Sequence, residues 1–211
     1  ILEAKGKSIP IFYPHIPKNA KKSVSKVLST RWIGQGPLVD LFEKKFSNQF
    51  CDGMPVIAVG SGTDALHLAY ILGNIKKNDE IICPVFTCTA TNIPLLYIGA
   101  KIKFADIDPK TLNISIESVE RLITKKTKAI VFVNFTGQLA DFENIKRIAK
   151  KHSIKTIEDG AQSFGAKKNN LYSGKLADIS TFSFNSMKVL QGFGELGCVL
   201  TDNKSTYIKI R

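Results

Sequence analysis

Short apolar strands alternate with helices through residues 80–159, and this alternation limits the possible folds more than any other feature of the sequence. The segment AIVFV is apolar on both faces, which is typical of a parallel sheet that helices cover on both sides. The sequence therefore predicts an α/β fold, a three-layer sandwich with a mainly parallel central sheet. Strands are predicted at residues 81–84, 101–107, 129–135 and 156–159, and helices at residues 90–99, 116–123 and 142–152.

The flanking segments extend this pattern. Two amphipathic helices are predicted at residues 18–30 and 37–50, because their apolar side chains recur at helical spacing. Three further apolar runs are predicted to be strands, and the polar stretch KKNNLYSGK is predicted to be a loop. These strands lie at residues 56–59, 179–184 and 198–201, and the polar stretch at residues 167–175.

A glycine-bearing turn, residues 60–65, separates a strand from a helix. Free backbone N–H groups at such a helix start favour an anion, so Gly62 and Thr63 are candidates for binding a phosphate. A simpler interpretation is an ordinary helix cap by Ser61 or Thr63. The same turn also fits the loose dinucleotide fingerprint G-x-G-x-x-A, which makes a nicotinamide-dependent oxidoreductase the competing hypothesis. Against it, Glu80 stands at the start of the next strand, and no isolated acidic residue follows at the expected distance.

Lys188 and Asp159 are the strongest candidates for chemistry. Lysine is rarely buried unless it is paired or reacts, and Lys188 closely follows an apolar strand. A Schiff base between Lys188 and an aldehyde cofactor would explain it, with Asp159 keeping the pyridine nitrogen of that cofactor protonated. Taken singly, a surface lysine and an aspartate that caps a turn are simpler interpretations. The grouping with Gln162, Ser183 and the glycine turn favours pyridoxal 5′-phosphate.

Five segments carry a family resemblance: SGTDAL, DIDPKTLNI, EDGAQ, SFNSMK and GELG, in this order. With them the chain resembles the DegT/DnrJ/EryC1/StrS family of pyridoxal-phosphate sugar aminotransferases, from near Pro10 to its last residue. The resemblance implies the large domain of the type I pyridoxal-phosphate transferase fold. It also implies a homodimer that moves an amino group from glutamate onto a keto carbon of a nucleotide-linked deoxysugar.

The resemblance also implies a role for each candidate residue. Lys188 would carry the cofactor as an aldimine and act as the base that moves the substrate proton. Asp159 would hold the ring nitrogen and Gln162 the ring hydroxyl, while the phosphate would lie at Ser183 and the amides of Gly62 and Thr63. A relative that removes oxygen has histidine at the position of Lys188, so the lysine favours transamination.

Three positions depart from the family pattern. Cys88 stands where an aromatic residue often stacks on the ring, Asn134 where histidine is frequent, and Leu196 where glycine is usual. We expect the last two to alter substrate fit more than chemistry. We also expect an amino-terminal segment at residues 1–17, a cofactor-binding domain at residues 18–211, and no smaller carboxyl-terminal domain of the kind that family members have.

Charge and cysteine content bear on partners and location. The net charge is +12, but only four of the 30 basic residues are arginines, and the lysines are spread along the chain. We therefore expect no nucleic-acid partner, although a non-catalytic domain that binds anionic polymers stays open as a third hypothesis. The four cysteines and three histidines lack ligand spacing, so no metal site is expected. No membrane span or secretory signal is apparent, which predicts a cytoplasmic protein.

Overall fold

The protein is described here by a computed structural model that covers residues 15–208. Most of the predicted amino-terminal segment, 1–17, lies outside the described residues. The helices are α1 (Ala20–Ser29), α2 (Pro37–Phe50), α3 (Gly62–Leu72), α4 (Thr89–Ile98), α5 (Ile116–Leu122), α6 (Phe142–His152) and α7 (Lys204–Ile208). The strands are β1 (Val56–Val59), β2 (Glu80–Pro84), β3 (Lys101–Ala105), β4 (Thr127–Val133), β5 (Lys155–Asp159), β6 (Lys167–Lys168), β7 (Leu171–Tyr172), β8 (Ile179–Ser183) and β9 (Gly197–Leu200).

Among residues 15–208, seven strands form one central sheet in the order β1-β9-β8-β5-β4-β2-β3. The pairs from β3 through β2, β4 and β5 to β8 are all parallel. Strand β9 pairs antiparallel with both β8 and β1, so it runs against the other strands of this sheet. The carboxyl ends of β5 and β8 therefore lie side by side at one edge.

Alternate residues of each central strand pack into cores on opposite faces of the sheet. On β4, Val131 packs with residues of α3 and α4, whereas Ile130 and Phe132 pack with residues of α5 and α6. An aromatic cluster around Phe46 of α2 covers the part of the sheet formed by β1, β8 and β9. The predicted three-layer α/β fold with a mainly parallel sheet is confirmed.

Two local predictions were wrong. Residues 167–175, predicted as a loop, contain the antiparallel β6–β7 hairpin. Asn169 and Asn170 form its turn with φ of 51° and 63°, a left-handed conformation that asparagine tolerates better than most residues. Helix α3 begins at Gly62, so the glycine turn supplies the first helical turn rather than a separate loop.

The position of β1 argues against the oxidoreductase hypothesis. In a dinucleotide-binding fold, the glycine turn follows a strand that lies within a parallel βαβ unit. Here β1 is at the edge of the sheet and pairs antiparallel with β9. Residues 60–65 therefore match the dinucleotide fingerprint in sequence but do not lie in the strand topology that the fingerprint requires.

The edge strand β1 depends on a buried acid of α2. Glu43 is 6% exposed, and its Oε1 accepts a hydrogen bond of 2.9 Å from the amide of Ala58. We expect Glu43→Ala to lower the free energy of unfolding by about 1–3 kcal/mol, because the partly buried amide of Ala58 loses its acceptor. Urea denaturation measures the loss. Glu43→Gln keeps an amide oxygen as acceptor and should recover most of it, and equal losses in the two variants would contradict this assignment.

No helix within residues 15–208 combines the length and the apolar character needed to cross a membrane.

Candidate active site

A cavity of about 230 Å³ lies at the carboxyl ends of β5 and β8, beside the first turns of α3 and α4. The structure brings all six predicted site residues to its wall. They are Gly62, Thr63, Asp159, Gln162, Ser183 and Lys188. Residues that are up to 126 positions apart in the sequence thus share one small cavity, which is where parallel α/β sheets usually bind ligands.

Asp159 ends β5 and is only 4% exposed. Its Oδ2 accepts a hydrogen bond of 2.7 Å from the Thr91 hydroxyl, and its Oδ1 accepts one of 3.0 Å from the Ala161 amide. Burial raises the pKa of this carboxyl above its ordinary value, while the two hydrogen bonds and the charge of Lys188 act in the opposite direction. The carboxyl is therefore fixed in orientation at the base of the cavity.

Thr91 is a hydrogen-bond partner of Asp159 that was not among the predicted site residues. It is fully buried in the first turn of α4, and its carbonyl accepts a hydrogen bond from the Tyr70 hydroxyl. Its own hydroxyl also contacts that of Thr87 at 2.8 Å. Nothing in the local pattern of residues 84–91 distinguishes Thr91 from its neighbours, because its partner Asp159 lies 68 residues away.

The amino terminus of α3 forms another part of the cavity wall. Ser61 caps the helix by accepting from the Asp64 amide at 3.0 Å, as the simpler interpretation of this turn expected. Within residues 15–208 this cap reaches Asp64 alone, so the amides of Gly62 and Thr63 have no helical acceptor. They are available to an anion in the cavity.

Gly62 is required by close packing. A Cβ at this position would lie 2.5 Å from the Cβ of Ser183, a distance that real Cβ atoms do not show. The backbone of α3 thus approaches the end of β8 more closely than any side chain would allow. This approach places the free amides of the helix beside the Ser183 hydroxyl.

Lys188 lies in the loop that joins β8 to β9, residues 184–196. The loop is closed on itself by backbone hydrogen bonds, among them Phe184 N to Leu196 O at 2.7 Å and Ser186 N to Gly194 O at 3.0 Å. Asn185 orders the turn before the lysine by accepting from the Met187 amide at 3.0 Å. The Lys188 side chain is half-buried and lines the cavity.

Gln162 has a defined orientation. Its Oε1 accepts a hydrogen bond of 2.9 Å from the backbone amide of Thr136. Because that amide can only donate, the carboxamide NH₂ is the group left for a ligand. Gln162 therefore presents a donor to the cavity, which suits an oxygen anion.

The three departures from the family pattern lie in different places. Cys88 is the N-cap residue of α4 and lines the cavity, whereas Phe86 pairs with Phe135 at a centroid distance of 4.8 Å and is not part of the lining. Asn134 is completely buried and does not line the cavity, and Leu196 packs against the aromatic cluster. Neither side chain is placed to touch a ligand there, so the expectation that both alter substrate fit gains no support.

The fold and this cavity define a class of protein. It is the class of three-layer α/β proteins with a cavity at the carboxyl edge of a mainly parallel sheet, and here a lysine and a buried carboxylate line that cavity. Within that class, the chain belongs to the DegT/DnrJ/EryC1/StrS aminotransferase family, whose model matches residues 14–211.

Two curated relatives illustrate the similarity. The chain is 38% identical over 202 residues to GDP-perosamine synthase of Escherichia coli O157:H7, a match that covers 95% of this chain and 55% of the relative. It is also 38% identical over 176 residues to UDP-2-acetamido-2-deoxy-3-oxo-D-glucuronate aminotransferase of Pseudomonas aeruginosa, covering 83% of this chain and 49% of the relative. The chain therefore spans about half the length of these relatives.

A solved structure agrees with the fold. GDP-4-keto-6-deoxy-D-mannose-3-dehydratase of E. coli, with bound hydrated PLP, superimposes with a TM-score of 0.88 at 32% identity. The match covers 95% of this chain and 52% of that one. The central sheet and the helices that carry the cavity are thus shared with a PLP-binding protein.

Proposed function

We propose that this chain is the cofactor-binding part of a pyridoxal-phosphate-dependent aminotransferase that acts on a nucleotide-linked keto-sugar, with glutamate as amino donor. The observation that carries the proposal is the convergence of Asp159 and Lys188 on one cavity beside the free amides of α3. The relatives that act on GDP- and UDP-linked sugars support the substrate class.

The residues fit the proposed cofactor group by group. The buried carboxylate of Asp159 matches a ring nitrogen that must stay protonated, and the NH₂ of Gln162 matches the ring hydroxyl. The hydroxyl of Ser183 and the amides of Gly62 and Thr63 match a phosphate. When bound, the cofactor withdraws electrons from the substrate carbon that loses a proton.

Each of these side chains then has one task. Asp159 holds a proton at the ring nitrogen, and Thr91 and Ala161 keep its carboxylate in place for that contact. Lys188 attaches the cofactor and, when it is released, moves the proton at the substrate carbon. The lysine at this position also supports transamination over oxygen removal, since the resemblance associates the latter with histidine.

The proposal extends to the assembly and its location. Exposed apolar side chains on the Lys188 loop, Met187 at 57%, Val189 at 80% and Phe193 at 51%, support a second copy of the chain packing near the cavity. On this basis and on the family resemblance, we propose a homodimer. The family resemblance also leads us to propose that the protein is cytoplasmic and that nucleic acids and membranes are not its partners.

The experiment is reconstitution of the 211-residue chain with pyridoxal 5′-phosphate, followed by addition of glutamate. We expect a visible absorption band that glutamate bleaches while 2-oxoglutarate forms, and transfer of labelled nitrogen to a nucleotide-linked keto-sugar when one is supplied. Tight binding of a reduced dinucleotide without any such band would refute the proposal. A band that no amine donor bleaches would refute transamination while leaving cofactor binding intact.

A further inference from the structure

The loop after β4, residues 134–138, is held in an unfavourable backbone conformation. Thr136 has φ of 52° and Gly137 has φ of 87°, both in the left-handed region. A threonine rarely adopts this conformation, because its branched side chain crowds the backbone there. We call residues 134–138 the strained loop. Contacts from outside the loop must compensate for its conformation.

Asn113 supplies two of those contacts. Its Oδ1 accepts a hydrogen bond of 2.9 Å from the Phe135 amide, and its Nδ2 donates one of 3.0 Å to the Gln138 carbonyl. The side chain is 4% exposed, so the Asn113 end of each bond is buried. Asn113 therefore bridges the two ends of the strained loop, using both the oxygen and the nitrogen of its carboxamide.

Asn113 is itself anchored by the segment DIDPKTLNI, which the proposed function does not otherwise use. The Asp108 amide donates to the Asn113 carbonyl at 2.8 Å, and Ile107 pairs with Ile114 in an isolated antiparallel bridge. Asp108 Oδ1 also accepts from the amides of Lys110 and Thr111, which closes the turn. The asparagine thus extends from a rigid support and not from a free loop.

The strained loop contacts two residues of the cavity wall: the Asn134 amide donates to the Asp159 carbonyl at 3.4 Å, and the Thr136 amide donates to the Gln162 side chain. Thr136 N donates to Gln162 Oε1, and this bond decides which end of the Gln162 carboxamide faces a ligand. If the loop relaxed, Thr136 N would move and the carboxamide would be free to rotate. Asn113 therefore influences the orientation of the Gln162 side chain in the cavity, although Asn113 does not line the cavity itself.

We propose that Asn113 is a positioning residue that orients Gln162 toward the bound ligand by clamping the strained loop. The inference rests on the proposed function insofar as Gln162 donates to the ring oxygen of the cofactor. It assigns the DIDPKTLNI segment a role in ligand affinity that is exerted from outside the cavity.

The test is a double-mutant cycle on the dissociation constant of pyridoxal 5′-phosphate, with the variants Asn113→Ala, Gln162→Ala and the pair together. We expect each single change to weaken binding about tenfold, and the double variant to bind no more weakly than Gln162→Ala alone, because the two residues act in series. Additive losses, about a hundredfold in the double variant, would overturn the proposal. So would an Asn113→Ala protein that binds within twofold of the wild type.

Hydrogen exchange on the cofactor-free protein supplies a second readout. We expect Asn113→Ala to lower amide protection of residues 134–138 at least tenfold. Glu43→Ala is the matched control, since it also removes a buried acceptor 2.9 Å from a backbone amide but on the edge strand, and it should leave these residues protected. Unchanged protection in Asn113→Ala would refute the clamp. A wild type that shows no cofactor band would instead refute the proposed function. The exchange experiment uses the cofactor-free protein, so it tests whether Asn113 holds the strained loop even if the proposed function fails.

Discussion

Replacing Lys188 by alanine is expected to abolish covalent attachment of the cofactor and to reduce transamination roughly 10⁴-fold, the upper end of what a positioned base contributes. The half-buried side chain lies in a loop that is closed by backbone hydrogen bonds, so the fold should survive. Reduction with borohydride in the presence of pyridoxal 5′-phosphate, followed by peptide mass analysis, measures attachment directly. The wild type should carry the added mass on the peptide that contains Lys188.

Two further variants separate the roles of this lysine. Lys188→Arg keeps a positive charge near Asp159 but cannot attach the cofactor, so it should lose the label as fully as the alanine variant does. Lys167→Ala removes an exposed lysine of the β6–β7 hairpin and should label normally. Equal labelling of Lys188→Ala and the wild type would show that another amine holds the cofactor, and the assignment would fall.

Replacing Asp159 by asparagine is expected to lower the rate of transamination about 10²–10³-fold, comparable to the loss of one preorganised electrostatic group in other enzymes. Asparagine fits the same space, since its oxygen can accept from the Ala161 amide and its NH₂ can donate to the Thr91 hydroxyl. What it lacks is the negative charge that keeps a proton on the ring nitrogen. Steady-state rates and the absorption band of the reconstituted variant check this result.

Asp159→Asn should lower activity but should not lower the stability of the folded protein. Burial raises the pKa of Asp159 above its ordinary value of 3.8, so the folded protein binds this proton more tightly than the unfolded chain. The stability that the protonated carboxyl contributes is complete below pH 3.8, and it is lost as the pH rises through the raised pKa of the folded protein. Asp159→Asn removes this loss, so the cofactor-free variant should be at least as stable as the wild type at neutral pH, with a flatter dependence on pH.

Urea denaturation of both cofactor-free proteins over a range of pH tests this opposition between stability and function. The pKa of the neighbouring buried Glu158 is also raised by desolvation, but Glu158 is present in both proteins, so the difference between them reports on position 159. A variant that is clearly less stable than the wild type at neutral pH would contradict the argument. It would mean that the hydrogen bonds of the carboxylate outweigh the cost of burying its charge.

Much of the fold followed from periodicity, and the exceptions have physical causes. The two-sided apolar strands predicted a parallel sheet with helices on both faces, because such strands can only be buried between two layers. The β6–β7 hairpin was missed because its strands, Lys167–Lys168 and Leu171–Tyr172, are only two residues long, which leaves no alternation to detect. The dinucleotide fingerprint misled because a short motif does not specify whether its strand is central or at an edge.

The sequence alone determined which residues could do chemistry: a lysine beyond one apolar strand, an acid at the end of another, and a glycine turn before a helix. These features are local, since each depends on a strand or helix and its next few residues. Only the tertiary structure decided how they are oriented. The bond from Thr91 to Asp159, the steric need for Gly62 beside Ser183, and the bridge from Asn113 to the strained loop join segments that sheet order and register bring together, and no local pattern encodes these contacts.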